Sequence, residues 1–120
     1  MPSSFLDTRR QLITLMVRLS QSIDAGHDDV AAVLVIRLCD HLVDYLSVGH
    51  FSVYGETAVE RDTGTRIDRT TDCAMRFNDR FGEIGRYDRD AVRGALETLA
   101  LAMETRFELE DSFLVAPAAG

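Results

Sequence analysis

The feature that most constrains this chain is the periodicity of the stretch from Leu38 to Tyr54. On a helical wheel, Leu38, Cys39, Leu42, Val43, Tyr45, Leu46, Gly49 and Val53 form one continuous arc, the pattern of an amphipathic helix with a wide buried face. A strand would need apolar residues at every second position, and this stretch does not supply them. His50 falls inside the arc, whereas His41 and Asp44 point to the opposite, polar side.

The same period recurs along the chain. Ser3 or Ser4 can cap a first helix, predicted over 4–22, with Phe5, Leu12, Leu15, Met16, Leu19 and Ile23 on its inner side and Arg9 in the middle of them. Asp24 to Asp29, with Gly26 inside, reads as a break. Asp28 or Asp29 then opens a second helix, predicted over 29–59, with acidic residues placed for its N-terminal dipole. Arg61 to Gly64 reads as a loop. Thr65 with Asp68 signals a third helix over 66–84, with Ile67, Ala74, Phe77, Phe81 and Ile84 inward and its end marked by Gly82 and Gly85. A fourth helix, over 89–115, directs Val92, Ala95, Leu96, Leu99, Ala102, Met103, Leu109, Phe113 and Leu114 inward. Its outward side carries Glu97, Glu104, Glu108 and Asp111 as an acidic ridge. Four amphipathic helices most economically form an all-α, antiparallel four-helix bundle, here a single domain over residues 1–120.

Charge narrows the partners. A formal net charge of -7 opposes binding to nucleic acid or an anionic membrane, since a phosphate backbone must be met by clustered basic residues; a basic protein partner fits better. All 13 basic residues are arginine, which excludes mechanisms built on a Schiff-base or phosphate-clamping lysine. Cys39 and Cys73 are too few for a disulfide framework or a zinc-finger spacing. With neither a secretory leader nor an apolar run approaching the ~20 residues of a membrane span, a cytoplasmic protein is expected.

The polar groups on inward arcs are Arg9, His50, Arg106 and Glu110, with Ser47 and Tyr54 at the edge of the second helix. Unpaired buried charge is costly, so these groups should form a hydrogen-bonded internal network or line a cavity, the alternative function being a small-ligand- or metal-binding bundle that uses His50, Arg106 and Glu110. Arg106 and Glu110, four apart, can pair with each other, or Glu110 can reach Arg9 on the first helix. A di-iron centre would need Glu-x-x-His pairs; none exists, and two inward arginines would repel a metal, so no metal or other cofactor is expected. Ser47 and His50 are three apart, yet nothing supplies an oxyanion-binding turn. His41, flanked by Asp40 and Asp44, is poorly placed to accept a phosphoryl group. No catalysis is expected.

Three stretches carry a family likeness. LVDYLSVGHFSVY from Leu42 to Tyr54, TRFELED from Thr105 to Asp111, and FLDTRRQLITLMVRLS from Phe5 to Ser20 together resemble the regulator of sigma D (Rsd/AlgQ) family of bacterial anti-sigma factors. The third helix departs most from the family pattern, and Phe5 stands where tryptophan is usual. The resemblance implies a four-helix bundle that sequesters the primary sigma factor of RNA polymerase by binding its C-terminal region four. Family motif positions fall on Asp44, Tyr45, Ser47, Gly49, His50, Phe51, Tyr54, Arg106, Phe107, Glu110 and Asp111. Combined with the wheel, it assigns Asp44, Ser47, Phe51, Glu104, Glu108 and Asp111 to sigma binding, and Arg9, His50, Tyr54, Arg106 and Glu110 to the internal network.

Overall fold

The computed structural model describes residues 2–49 and 61–115, with side chains over 5–47 and 63–112. Four helices account for nearly all of them: α1 (Pro2–Asp24), α2 (Asp28–Gly49), α3 (Arg61–Phe81) and α4 (Arg89–Val115). The helices start and stop where local chemistry dictates. Gly26 adopts a φ of 75°, and at the end of α1 its N–H donates to the Ile23 carbonyl at 3.0 Å while that of His27 donates to the Ser22 carbonyl at 2.9 Å. This paired closure of the last turn needs a left-handed residue, which glycine adopts without a Cβ penalty. Asp28 and Asp29 in the first turn of α2 face its positive dipole end. Asp88 caps α4, its Oδ2 accepting from the Ala91 N–H at 2.9 Å.

The packing is a ring: α1 against α2, α2 against α3, α3 against α4 and α4 against α1, so that α2 and α4 lie on a diagonal. Direction follows from two sets of contacts. Arg9 early in α1, Tyr45 late in α2, Thr70 in the middle of α3 and Arg106 late in α4 meet toward one end, and Glu83 and Ile84, just past α3, lie beside Asp28 and Asp29 at the start of α2. Asp24, Asp28, Arg89 and Arg93 meet at the other. Each helix therefore runs opposite to its neighbours, an antiparallel bundle of 50 × 25 × 20 Å. Leu12, Leu19, Leu38, Leu42, Leu99 and Met103 fill the centre. Phe77 and Phe81, 5.1 Å apart, close the core on the α3 side.

Several expectations need correction. Arg61 to Gly64 is helix rather than loop, and Thr63 and Gly64 are partly buried. A glycine costs a helix only about 1 kcal/mol, which packing of the stripe Ile67, Thr70, Ala74, Phe77 and Phe81 overrides. The same helix ends at Phe81, not at 84, so Ile84 falls in the turn before α4 and is 93% exposed instead of inward. Gly85 in that turn has a φ of 91°, a conformation that stops the helix. Val43 lies at the margin of the α2 arc and is 41% exposed. The portion of the second predicted helix from His50 to Val59 lies outside the described residues, as do the side chains of Phe113 and Leu114.

At the end opposite the polar contacts, Asp28 joins the start of α2 to the start of α4. Arg89 forks onto its carboxylate at 3.0 and 2.6 Å, and the Tyr87 hydroxyl donates to it at 2.8 Å. Hydrogen bonds from Arg89 and Tyr87 hold the Asp28 carboxyl at about 2, below its ordinary 3.8. A depressed carboxyl adds stability that is present above its unfolded value and disappears as pH falls through the folded one. Thermal unfolding of the wild type should therefore lose more between pH 3.8 and 2 than that of Asp28→Asn. Parallel pH profiles for the two proteins would show that the clamp does not form in solution.

Candidate functional site

The polar end of the bundle is organised around one carboxylate. Glu110 has no exposed surface, and Arg106, one turn earlier on α4, is only 2% exposed. Glu110 Oε2 accepts from Arg106 Nε at 3.1 Å, while Oε1 accepts from Arg9 Nη2 at 3.2 Å and from the Tyr45 hydroxyl. The remaining donors are also engaged. Arg106 Nη1 reaches Thr70 Oγ1 at 3.1 Å and Thr71 Oγ1 at 2.7 Å, and both threonine hydroxyls donate to the Ile67 carbonyl. Arg9 Nε donates to the Tyr45 oxygen at 3.2 Å and its Nη1 to Asp111 Oδ1 at 2.7 Å. Two arginines thus meet two carboxylates, and every helix contributes a member. Among the described residues no buried side-chain nitrogen or oxygen is left without a partner.

Aromatic rings seal this network. Tyr45 stacks on Phe5 at a centroid distance of 5.1 Å and meets the edge of Phe107 at 5.7 Å. The Arg9 guanidinium lies over Phe107 at 4.8 Å and near Phe5 at 5.4 Å. Burial works against the charge on Arg9, but hydrogen bonds to Tyr45 and Asp111 more than offset it and raise its pKa further. Burial, the nearby Glu110 charge and the bond donated to Glu110 push the Tyr45 phenol far up, so it remains a donor. Such an arrangement holds four helices in register. It offers no free nucleophile or base, since each group is held by another.

Arg9, Arg106 and Glu110 therefore come together, and the choice between the two partners of Glu110 resolves as both. His50 and Tyr54, the other expected members, lie outside the described residues. Sequence reasoning missed Tyr45, Thr70 and Thr71. A tyrosine in the middle of a buried arc was the available signal, because its hydroxyl needs a partner. Thr70 and Thr71 interrupt the apolar period of α3 and so carry no sign, in sequence, of a partner on another helix. Cys39 is buried, and burial with nearby Asp40 pushes its thiol up to about 12, which leaves it an unreactive packing group.

The residues expected to bind a partner are distributed over two faces. Asp44 and Ser47 are exposed on α2, and Glu104 and Glu108 are exposed on α4, across the diagonal. Asp111 is half exposed and tied to Arg9. Phe51 lies outside the described residues. Among the described residues, no group of three or more His, Cys, Asp or Glu side chains is placed to hold a metal ion. None of the described helices is long and apolar enough to cross a membrane.

Comparison with known proteins covers all four helices. The family model described as regulator of RNA polymerase sigma(70) subunit, Rsd/AlgQ, matches residues 3–116. A regulator of sigma D from Yersinia pseudotuberculosis serotype O:1b (strain IP 31758) is 28% identical over 102 residues, covering 73% of this chain and 60% of the relative. A regulator of sigma D from Yersinia enterocolitica serotype O:8 is 31% identical over 92 residues, covering 65% of this chain and 55% of the relative. The match thus spans less than two thirds of the length of these curated relatives. No solved structure matches the chain. A family match that runs from the first turn of α1 to the end of α4, over helices locked together by Arg9, Tyr45, Arg106 and Glu110, leads to one conclusion: this chain belongs to the Rsd/AlgQ family.

Proposed function

We propose that this protein is an anti-sigma factor: it binds the C-terminal region four of the primary sigma factor of RNA polymerase and withholds it from promoters. The observation that carries this reading is the family match over residues 3–116, whose model is described as a regulator of the sigma(70) subunit. Charge supports it. Region four is a helix-turn-helix that meets promoter DNA and is basic on its recognition side, and a bundle of net charge -7 can compete for that surface. Asp44, Ser47, Phe51, Glu104, Glu108 and Asp111 are the candidate contacts, with Arg9, His50, Tyr54, Arg106 and Glu110 serving the bundle. Sequestration requires surface complementarity alone, with no bond made or broken and no cofactor.

Isothermal titration with isolated region four of the host's primary sigma factor, at two salt concentrations, tests the reading. One-to-one binding that weakens about tenfold or more on going from low to high salt is expected. Absence of binding at both concentrations would sink sequestration. Binding indifferent to salt would remove the acidic surface from the account.

A further inference from the structure

The face of α2 turned away from α1 carries a second stripe. Asp29, Val33, Ile36, Asp40 and Val43 recur at alternating steps of four and three and so line one side of the helix. With the turn between α3 and α4, the first half of this stripe forms an apolar groove of ≈ 630 Å³, in which Val33, Ile36, Ile84 and Tyr87 are the main walls. Val33 is 54% exposed there, and Ile84 stands almost wholly in solvent. Further along, the same helix and the end of α3 enclose an acidic groove of ≈ 640 Å³ lined by Asp40, Asp44, Asp79 and Glu83. Glu83 borders both grooves, so they adjoin each other. From Asp29 to Asp44 the surface runs for about 22 Å, the length of four helical turns.

Part of its charge has no ion-pair partner among the described residues. Asp28 and Glu83 have arginine partners, but none of the ion pairs formed among the described residues uses Asp40, Asp44 or Asp79. Among the described residues, Arg37 at the rim of the apolar groove is the one basic side chain lining either groove. On α4, Glu104 and Glu108 stand exposed on the stripe that begins with the exposed Leu101.

We propose that this α2–α3 face is where a basic amphipathic helix of the sigma factor docks, its apolar side on Val33, Ile36 and Ile84 and its basic residues on Asp40, Asp44 and Asp79. This assignment rests on the sequestration reading and adds the surface. Apolar contacts in a groove flanked by matched charge make an anchor, whereas exposed charge alone mainly steers encounter.

The test titrates region four of the host's primary sigma factor into the full chain and its variants. Val33→Asp with Ile84→Asp, both at exposed positions, is expected to weaken binding by at least about tenfold, chiefly through faster dissociation. Asp40→Arg with Asp79→Arg should weaken it comparably and flatten the salt dependence, while Glu104→Arg with Glu108→Arg should weaken it less than either face variant, chiefly through slower association. Thermal unfolding of each variant verifies that the bundle is intact. If the wild type binds region four and the face variants bind equally well, the docking surface is wrong and sequestration stands. If the wild type does not bind at all, both fall. If the wild type alone sediments as a dimer that Val33→Asp with Ile84→Asp dissociates, the face belongs to a second copy of this chain and the proposal is overturned.

Discussion

Glu110→Leu should destabilise the bundle by about 3–5 kcal/mol, a large part of the 5–15 kcal/mol available to a domain of this size. The side chain has no exposed surface and accepts from Arg106, Arg9 and Tyr45. Removing it strips the Arg106 guanidinium, itself 2% exposed, of the carboxylate it donates to. Arg9 keeps Asp111 and part of its exposure, so most of the loss falls on Arg106. The double variant Arg106→Met with Glu110→Leu should regain at least half of it, since apolar side chains of similar volume can replace a buried pair with little loss. Urea unfolding followed by circular dichroism reads both. A single-variant loss below about 1 kcal/mol would mean that water reaches this carboxylate in solution.

Tyr45→Ala should lower stability by about 3–5 kcal/mol, because it empties a fully buried site between the rings of Phe5 and Phe107. Tyr45→Phe keeps that packing and deletes only the hydroxyl, at a loss of about 1 kcal/mol: Glu110 Oε1 still accepts from Arg9, so its oxygen is not stranded. Comparison of the two in the same unfolding experiment separates ring from hydroxyl. Equal losses would place the whole contribution in the hydrogen bond and contradict the stacking geometry. Neither substitution touches the α2–α3 face, so a folded Tyr45→Phe protein should titrate sigma region four like the wild type.

Much of this was legible in the sequence because burial in a helix leaves a periodic trace. Leu12, Leu19, Leu38, Leu42, Leu99 and Met103 are inward on the wheel and buried in the bundle. Arg9, Arg106 and Glu110 stood out for a related reason, as charges on arcs that should exclude them. The α3 start was harder. Gly64 and two adjacent threonines weaken a helical pattern when read singly, but Thr70 and Thr71 sit where they do to receive Arg106 from another helix. Ile84 misled in the opposite direction, since it keeps the period of α3 after the helix itself has ended.

By itself the sequence determined the helical class, the inward arcs and the turn at Gly26, because propensity, period and left-handed backbone demands act within a few residues. Its three motif stretches also determined the family resemblance. Only tertiary structure decided that one carboxylate serves both arginines and a tyrosine, because those partners lie more than 60 residues apart for Tyr45 and Glu110 and about 100 apart for Arg9 and Glu110. Tertiary structure likewise placed Asp44 across the diagonal from Glu104 and joined Val33 to Ile84 in one groove. Hydropathy assigns a residue to the inside or the outside of its own helix; which outsides meet depends on how the helices are arranged in space.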